Sequence, residues 1–396
     1  MIETEKEIEV INESDIKPNS NITKKEYESK FMRHRFFALS YSIFGIIILI
    51  LVIIALIITG AYPCVHTKCH EHATCFNTPF YADCVCKEGF AGDGRDHCDE
   101  CGITNFKHNA NDTGSGSVPY SWPATGILEF MYTTLTKLEQ ERVLLYNYEA
   151  CGAVLINRKT ALTAAHCIRT EYSYFDWYYY KYFVINVTFN NFHPNFESIY
   201  SLYFGINKFV NYYVDLPHVQ LGDVKDIIIH PEYNKVTYEN DIAIVTFLNE
   251  INLDRYTQIA CLPTKEKSNN YPEKNHNKAF IAGYSSVGDS YIDYNQYNIR
   301  LDIYNNSMCQ DVQQYRTKNW NRQFCAGEYD PHGNLTSQCH GDYGSPLYVL
   351  DEINGKQKYV ATGLLSYDVP CDVEHAPAVY TRISMYTDWI IENSRY

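Results

Sequence analysis

Two short stretches carry most of the information in this 396-residue chain: LTAAHC at residues 162–167 and GDYGSPL at residues 341–347. The first ends with His166 beside Cys167, and between the two stretches Asp241 precedes the apolar run IAIV. A histidine, an acidic residue and a hydroxyl side chain form a nucleophilic triad when a fold brings them together. The chain therefore carries candidate catalytic residues in widely separated segments.

Elsewhere in this part of the chain, short apolar runs recur between turn signals, which predicts an all-β sandwich or barrel. The runs are AVLI at 153–156, III at 227–229, IAIV at 242–245, AFIA at 279–282 and YVA at 359–361. The stretch YTDWIIEN at residues 386–393 has helical spacing instead. We therefore expect a β domain that ends in a helix.

Together these motifs resemble the trypsin/chymotrypsin-like (S1) serine proteases, in that family's order of histidine, aspartate and serine. The supporting matches are Cys151-Gly152, Cys261-Leu262-Pro263, Phe324-Cys325-Ala326-Gly327 and Ala378-Val379-Tyr380-Thr381-Arg382. The resemblance covers about residues 118–396 and implies a chymotrypsin-like double β-barrel with a C-terminal helix. It implies that His166 is the general base and that Asp241 holds its tautomer.

The nucleophile position departs from the family pattern, because GDYGSPL has Tyr343 where the family has serine. A phenol has a pKa near ~10, and its oxygen lies several ångströms farther from the backbone than a serine oxygen. Ser345 stands where the family has glycine, and nothing in the sequence directs its side chain toward His166. Because loss of a triad serine costs ~10⁶-fold in rate, we expect an inactive homologue; an active endopeptidase is the alternative.

The activation site is also missing. In the family, cleavage after a basic residue frees an amine that pairs with the aspartate before the serine, which here is Asp342. Counting back from Ser121-Trp122-Pro123 gives NDTG at residues 111–114, which Ala110 precedes, and Asn111 is a glycan acceptor. The resemblance therefore implies that Asp342 lacks its usual partner and that the oxyanion hole, at Gly341, is not shaped in the usual way.

The resemblance places the substrate pocket at four further positions. The residue six before the nucleophile, which selects charge in trypsin-like members, is Ser337. The strand that pairs with substrate contains Ser366 and Asp368, and Asp368 and Ala378 both replace glycines. A side chain at either glycine position narrows the pocket.

An apolar segment near the N-terminus predicts a membrane anchor. Residues 36–60 contain no charge, and about 20 such residues span the ~30 Å hydrocarbon layer as a helix. A cleavable signal peptide fits less well because a polar tail of 35 residues precedes the run, and a buried soluble helix is the third interpretation. Positive charges cluster on the N-terminal side. We therefore expect a cytoplasmic tail at 1–35 and a single-pass type II protein of the plasma membrane, with its C-terminal domain outside.

Residues 61–101 form a predicted module in which six closely spaced cysteines lie between Cys64 and Cys98, which indicates a small module that needs crosslinks to fold. Sequence alone does not choose their pairing. The spacing, with GFAGDG at 89–94, resembles an epidermal-growth-factor-like module. That resemblance implies Cys64–Cys75, Cys69–Cys84 and Cys86–Cys98, and it implies no bound calcium. The module is either a spacer or a binding element.

The protease resemblance accounts for the other cysteines of the chain's fourteen. It implies the pairs Cys101–Cys261, Cys151–Cys167, Cys309–Cys325 and Cys339–Cys371. All the cysteines follow the apolar segment, which agrees with an oxidising compartment on that side. Four glycosylation acceptors also follow the apolar segment, at Asn111, Asn186, Asn305 and Asn334.

Composition limits the partners. The formal net charge is −14, which argues against a nucleic-acid ligand, since phosphate binding needs a basic surface. We expect no cofactor and no metal, and an extracellular protein, a protease inhibitor or a peptide as partner. Residues 102–117 form a polar linker by composition. The tyrosine-rich insertion at 171–182 is expected to form surface loops, either as a contact surface or as a local packing cluster.

Overall fold

The computed structural model describes most of the chain after residue 62 and a few helical residues before it. The described residues are 32–33, 39–41, 43–53, 63–79, 81–106, 118–138, 141–168, 171–176, 181–186, 200–210, 217–264, 271–273, 279–286, 293–328, 343–368 and 377–394. They separate into two compact units, one of residues 1–67 with 77–83 and one of residues 68–76 with 84–396.

The first unit contains helical residues at 39–41 and 43–53 and a 3₁₀ turn at Pro63–Val65. These helical residues fall inside the predicted anchor at 36–60. Among the residues that the structure describes, no helix is both long and apolar enough to cross a membrane. The predicted cytoplasmic tail lies almost entirely outside the described residues.

The cysteine-rich module contains four short strands: β1 (Ala73–Asn77), β2 (Ala82–Cys86), β3 (Phe90–Ala91) and β4 (Asp99–Glu100). Strands β3 and β4 pair antiparallel, with Phe90 opposite Glu100. Disulfides join Cys69 to Cys84 and Cys86 to Cys98. Crosslinks therefore supply much of the order in a segment that has few buried side chains.

The protease-like part consists of two strand systems and a short C-terminal helix at Thr387–Asn393. Its strands are β5 (Thr125–Leu138), β6 (Glu141–Asn157), β7 (Thr160–Thr163), β8 (Glu171–Asp176), β9 (Lys181–Asn186), β10 (Tyr200–Phe204), β11 (Lys208–Val210), β12 (Gln220–Ile229), β13 (Ala243–Phe247), β14 (Ala279–Ser286), β15 (Asp293–Ile303), β16 (Gln323–Glu328), β17 (Pro346–Ile353), β18 (Lys356–Tyr367) and β19 (Ala378–Arg382).

Both strand systems close on themselves. Strands β10-β12-β13-β7-β6-β5 form one closed barrel, in that order. Strands β11-β15-β14-β17-β18-β19-β16 form the second sheet, and an added pairing of β15 with β16 closes it. The molecule is therefore an all-β, chymotrypsin-like double barrel, as the motifs and the apolar runs predicted.

The apolar runs are continuous because both faces of their strands are buried. Along β6, Ala153 and Leu155 join one core cluster, whereas Val154 and Ile156 join another. Successive residues of a strand point to opposite faces, so a strand that lies between two packed layers needs apolar residues at every position. The same alternation recurs in β13 and β14.

The tyrosine-rich insertion forms a β-hairpin, which corrects the expectation of surface loops. Strands β8 and β9 pair antiparallel, with Glu171 opposite Asn186 and Asp176 opposite Lys181. A run of Tyr and Phe favours a strand over a loop because aromatic side chains have high β propensity. The turn at residues 177–180 lies outside the described residues.

The end of the cysteine-rich module is joined to the barrels by covalent and polar contacts. Cys101 forms a disulfide with Cys261. Arg158 donates two hydrogen bonds of 2.8 Å to the carboxylate of Asp99. The ammonium group of Lys358, which is buried, donates to Glu100. Bidentate, charge-assisted contacts of this kind fix orientation, so residues 84–106 belong to the same unit as the barrels.

The linker was predicted at residues 102–117, but its first residues belong to the folded unit. The backbone N–H of Gly102 donates to Ile259 O at 2.7 Å, and its carbonyl accepts from Tyr359 N at 2.8 Å. Gly102 also has a φ of +68°, in the left-handed region that favours glycine. Residues 102–106 are thus part of the folded unit, and residues 107–117 lie outside the described residues.

Candidate active site

The base and the acid meet because their strands pair. His166 lies in a 3₁₀ turn, Ala165–Cys167, just after β7, and Asp241 lies just before β13. Strands β7 and β13 are antiparallel, with Thr163 opposite Ala243, so the end of one lies next to the start of the other. The apolar runs that form these strands therefore determine where the two polar side chains meet.

His166 and Asp241 form a tight pair. His166 Nδ1 lies 2.7 Å from Asp241 Oδ2, and the backbone N–H of His166 donates to Oδ1 at 2.9 Å. Asp241 is fully buried, whereas 13% of the His166 side chain is exposed. Because a carboxylate only accepts, Nδ1 carries the proton and Nε2 is the basic nitrogen. This is the tautomer that a general base needs.

The side chain of Ser366 supports the acid, a role that the sequence-based assignment did not include. Its hydroxyl donates to Asp241 Oδ2 at 2.5 Å, and its side chain is fully buried. The hydroxyl of Thr381 donates to the backbone oxygen of Asp241 at 2.9 Å. The pairing of β18 with β19 is irregular between Leu365 and Tyr367, and at this point the Ser366 side chain faces the buried aspartate.

Tyr343 lies where the motif placed the nucleophile, and its backbone is held on both sides. The N–H of Gly152 donates to Tyr343 O at 2.8 Å, and the N–H of Gly344 donates to Leu365 O at 2.8 Å. Gly344 has a φ of +80°, and a Cβ there would lie 2.5 Å from Thr163 Oγ1. The turn therefore requires glycine at 344 whatever residue precedes it.

The side chain of Tyr343 extends across the cleft. Its ring meets the His166 ring edge to face, with centroids 5.2 Å apart at 76°. Its hydroxyl donates to Asp368 Oδ1 at 3.1 Å. The phenol proton is thus directed to a carboxylate near the end of β18, and the ring takes the space beside the imidazole. Proton transfer from a nucleophile to His166 needs a hydroxyl at that imidazole.

Ser345 cannot replace the missing nucleophile. Its side chain is fully buried, and its Oγ lies 2.1 Å from where a Cβ of Gly152 would be and 2.5 Å from that of Gly283. This hydroxyl points between two strands of the core, and no described group accepts or donates a hydrogen bond to it. The expectation that Ser345 faces away from His166 agrees with this geometry.

Three side chains that were not predicted from the sequence, Tyr238, Arg316 and Gln313, form a series of contacts that begins at His166. Tyr238 stacks on the imidazole with centroids 4.9 Å apart at 10°. The guanidinium carbon of Arg316 lies 3.6 Å from the centroid of Tyr238. Gln313 accepts from Arg316 Nε, and its amide donates to the backbone oxygen of Asp368 at 2.9 Å. A series of contacts therefore connects His166 to Asp368, the residue whose carboxylate accepts from Tyr343.

The sequence held only part of the signal for this set. Tyr238 belongs to the block that contains Asp241, so it could have been named as a neighbour of the site. Gln313 and Arg316 lie more than seventy residues farther along the chain than Asp241. Their approach depends on the turn that follows Cys309, where Gln313 adopts a φ of +42°.

Several predicted site residues lie outside the described residues. These are Gly341, Asp342, Ser337, Cys339, Cys371, Asn111 and Asn334. Ala378 is the first residue of β19, a strand of the second barrel, and its side chain is buried in the core. Asn305 is exposed and precedes a 3₁₀ turn, where its side chain accepts from Ser307 N. Asn186 is the last residue of β9.

Five of the disulfides that the two resemblances imply are present: Cys69–Cys84, Cys86–Cys98, Cys101–Cys261, Cys151–Cys167 and Cys309–Cys325. Cys64 and Cys75 are also disulfide-bonded. The sulfurs of Cys151 and Cys167 lie close to His166. Because both sulfurs are in a disulfide, neither can bind a metal as a thiolate.

Comparison with known proteins identifies the family. The family profile described as trypsin matches residues 132–390. The chain belongs to the trypsin family.

Three relatives show the range of similarity. CLIP domain-containing serine protease B9 of Anopheles gambiae is 26% identical over 299 residues, which are 74% of this chain and 67% of that protein. Melanization protease 1 of Drosophila melanogaster is 30% identical over 252 residues, or 62% of this chain and 58% of that protein. Phenoloxidase-activating factor 3 of Holotrichia diomphalia is 26% identical over 301 residues, which are 75% of each. The chain thus spans less than two thirds of the Drosophila protein.

Proposed function

We propose that this trypsin-family protein has lost peptidase catalysis and acts by binding a protein partner, an inhibitor or a peptide outside the cell. The observation that carries the proposal is the Tyr343 side chain, whose ring lies against His166 and whose hydroxyl donates to Asp368. A base and an acid without a hydroxyl nucleophile can shift protons but cannot form an acyl-enzyme.

The second candidate function is an active endopeptidase. The observation that favours it is the intact pair of His166 and Asp241, with Nδ1 protonated and the carboxylate buried. Two of the relatives are named as proteases. Activity would need a nucleophile other than the residue at the motif position, for which Ser345 is a poor source because its hydroxyl lies in the core.

The setting we propose is the cell surface. Residues 36–60 would anchor the chain as a type II protein, and residues 61–101 would form an epidermal-growth-factor-like module. The sequence supports the anchor through its uncharged apolar run, and the crosslinks Cys69–Cys84 and Cys86–Cys98 support the module. Five disulfides lie in the part of the chain that we propose to be outside the cell, where thiols are oxidised.

The decisive experiment is peptide turnover by the full chain, run beside labelling by a serine-directed fluorophosphonate. We expect neither turnover nor labelling. A Tyr343→Ser, Ser345→Gly double variant restores the family motif and is the matched comparison. His166→Ala in the natural sequence is the control for contaminating proteases.

Turnover by the natural sequence that His166→Ala abolishes would contradict the proposal and establish an unorthodox protease. If the natural chain shows no turnover and the double variant does, the loss of activity is due to the nucleophile position alone. Absence of turnover by both chains would indicate that activation and the substrate pocket are lost as well as the nucleophile. The missing basic cleavage residue implies this result.

The proposed topology has a separate test that does not depend on catalysis. Protease treatment of intact cells that express the chain with a tag at each end should remove the C-terminal tag and leave the N-terminal tag. Protection of the C-terminal tag would contradict the type II orientation. Glycosidase treatment should increase mobility through the exposed acceptor Asn305, and Asn305→Gln is the matched control.

A further inference from the structure

One disulfide lies directly beside the histidine of the site. Cys151 is bonded to Cys167, and Cys167 Sγ lies 4.0 Å from His166 Nε2. The two sulfurs and a ring nitrogen of His166 all lie within 4.8 Å of one another. Thiolate sulfur and imidazole nitrogen are ligands that zinc prefers in proteins. Because the disulfide prevents the sulfurs from acting as thiolates, any metal site here belongs to the reduced chain.

The backbone of these three residues is held by contacts other than the disulfide. Cys151 lies within β6, which pairs with β5 on one side and β7 on the other. The N–H of Cys167 donates to Ala164 O at 3.2 Å. The N–H of His166 donates to Asp241 Oδ1 at 2.9 Å. The three side chains therefore stay close together when the bond between the sulfurs is reduced.

The two cysteines have room to accept a metal ion between them. The Cα atoms of Cys151 and Cys167 are 6.2 Å apart, compared with 4.9 to 5.7 Å in the four other disulfides whose spacing is described. Two sulfurs on one zinc lie about 3.8 Å apart, because two Zn–S bonds of about 2.3 Å meet at a tetrahedral angle. Rotation of the side chains can supply this separation without moving the backbone.

His166 already has the orientation of a metal ligand. Its Nδ1 donates to Asp241 Oδ2 at 2.7 Å, so Nε2 is the unprotonated nitrogen. A carboxylate that accepts from the far nitrogen of a ligating histidine fixes the tautomer and makes the ligand more basic. Within the described residues, the hydrogen-bonding contact of Nε2 is the one with Cys167 Sγ.

A second disulfide of the same loop length serves as a matched control. Cys151–Cys167 and Cys309–Cys325 both have a sequence separation of 16. Both residues of the first pair are half-buried, whereas Cys309 and Cys325 are buried. No histidine occurs between residues 309 and 325. Because thiol–disulfide exchange depends on access to the sulfurs, we expect a reductant to reach the first pair more readily.

We propose that reduction of Cys151–Cys167 creates a zinc site formed by the two thiolates and His166 Nε2. A dithiol supplies two electrons and two protons, so that it becomes a disulfide while Cys151 and Cys167 become thiols. Zinc then displaces both thiol protons, and the two thiolates balance its charge. A site with three protein ligands keeps a fourth position for an exchangeable ligand such as water. The proposal holds whether or not the oxidised chain cleaves peptides.

The first test measures whether zinc protects the two thiols. The full chain is reduced with dithiothreitol, separated from it without air, and alkylated with iodoacetamide in the presence and absence of zinc. Mass spectrometry gives the rate at each cysteine. We expect zinc to slow alkylation of Cys151 and Cys167 at least about tenfold, because a metal-bound thiolate is a poor nucleophile. No protection of these two thiols, or equal protection of Cys309 and Cys325, would overturn the proposal.

The second test concerns the third ligand. The affinity of the reduced chain for zinc is measured by competition with a chromophoric chelator. His166→Ala should weaken this affinity at least about tenfold, since it removes an imidazole that Asp241 has already oriented. Equal zinc affinity in the natural chain and in His166→Ala would show that the histidine is not a ligand and would overturn the proposal.

A third test needs no reductant and therefore leaves the other disulfides intact. Cys151→Asp supplies a carboxylate, which zinc also binds, whereas Cys151→Asn has the same shape without the charge. Both variants leave Cys167 as a thiol. Zinc should slow alkylation of Cys167 at least about fivefold more in Cys151→Asp than in Cys151→Asn.

Thermal unfolding accompanies each measurement and shows whether the chain is folded. If the reduced natural chain has no cooperative transition, the comparison of Cys151→Asp with Cys151→Asn decides. Equal alkylation rates of Cys167 in these two variants in the presence of zinc would overturn the proposal.

Discussion

The two sides of the candidate active site differ in how their hydroxyl and carboxylate groups are paired. On the first side, Asp241 accepts from His166 N, His166 Nδ1 and Ser366 Oγ. On the second, Tyr343 donates to Asp368, and the Ser345 hydroxyl is buried without a partner among the described groups. Both sides hold positions of the catalytic motif of the trypsin family, and only the first keeps the residues of that motif.

This difference indicates which residues persist for reasons of stability. Removing Asp241 would leave buried donors without an acceptor, and each such donor carries a desolvation cost of about 1–3 kcal/mol. The backbone at the nucleophile position is held in another way, because the bond from Gly152 N to Tyr343 O and the bond from Gly344 N to Leu365 O do not depend on the side chain at 343. A histidine–aspartate pair is therefore weak evidence for activity in this chain.

The largest expected effect on stability comes from removing Asp241, the acceptor shared by His166 and Ser366. Asp241→Ala should lower the free energy of unfolding by about 3 kcal/mol, because the His166 and Ser366 donors lose their acceptor in a dry site. Urea denaturation of the purified chain measures this. Asp241→Asn, which keeps one acceptor oxygen, should cost less. A change below ~1 kcal/mol for Asp241→Ala would show that the pair is not held for stability.

A second carboxyl, that of the partly buried Glu129, can be compared with Asp241. Burial raises the pKa of Glu129 to about 7, so the folded chain binds a proton that the unfolded chain has released. This contribution to stability is therefore present below pH ~4.5 and is lost as the pH rises to about 7, by about 2 kcal/mol after allowance for partial exposure.

Glu129→Gln should remove that pH dependence between 4.5 and 7, as measured by thermal unfolding across the range. The natural chain should lose stability over the same interval, and the two curves should converge at low pH. Parallel curves for the two chains would contradict the assignment of the raised pKa to Glu129.

The smallest effects are expected for two buried serines, one on each side of the contrast. Ser366→Ala should destabilise by about 1 kcal/mol, since it removes a hydrogen bond to a carboxylate. Ser345→Ala should be neutral or stabilising by up to about 1 kcal/mol, since it removes a buried hydroxyl without a partner. The two changes remove the same atom, so each serves as the control for the other. Equal losses would mean that the two hydroxyls are equally well satisfied.

The sequence was sufficient to predict the strand-rich fold and the meeting of His166 with Asp241. The apolar runs have a local signature, and the order of the motifs links them to a family. The C-terminal helix was also predicted within one residue, since Thr387–Asn393 was read as 386–393. These features depend on periodicity and on short motifs, which a single sequence displays.

The direction of individual side chains was not predictable in the same way. Ser366 was assigned to the pocket because its motif lines the pocket, yet its side chain faces the acid. The bond from Tyr343 to Asp368 and the stack of Tyr238 with Arg316 join residues 25 and 78 positions apart. Contacts of this length depend on how the barrels close, which no local pattern records.

The bond between Cys101 and Cys261 closes a loop of the chain with a sequence separation of 160. A single peptide-bond cut anywhere inside that loop leaves both fragments covalently attached. A nick in residues 107–117 would thus produce two chains on a reducing gel and one molecule on a non-reducing gel. Shedding of the barrels from the segment that precedes Cys101 therefore requires either a cut before that cysteine or a nick inside the loop together with a reductant.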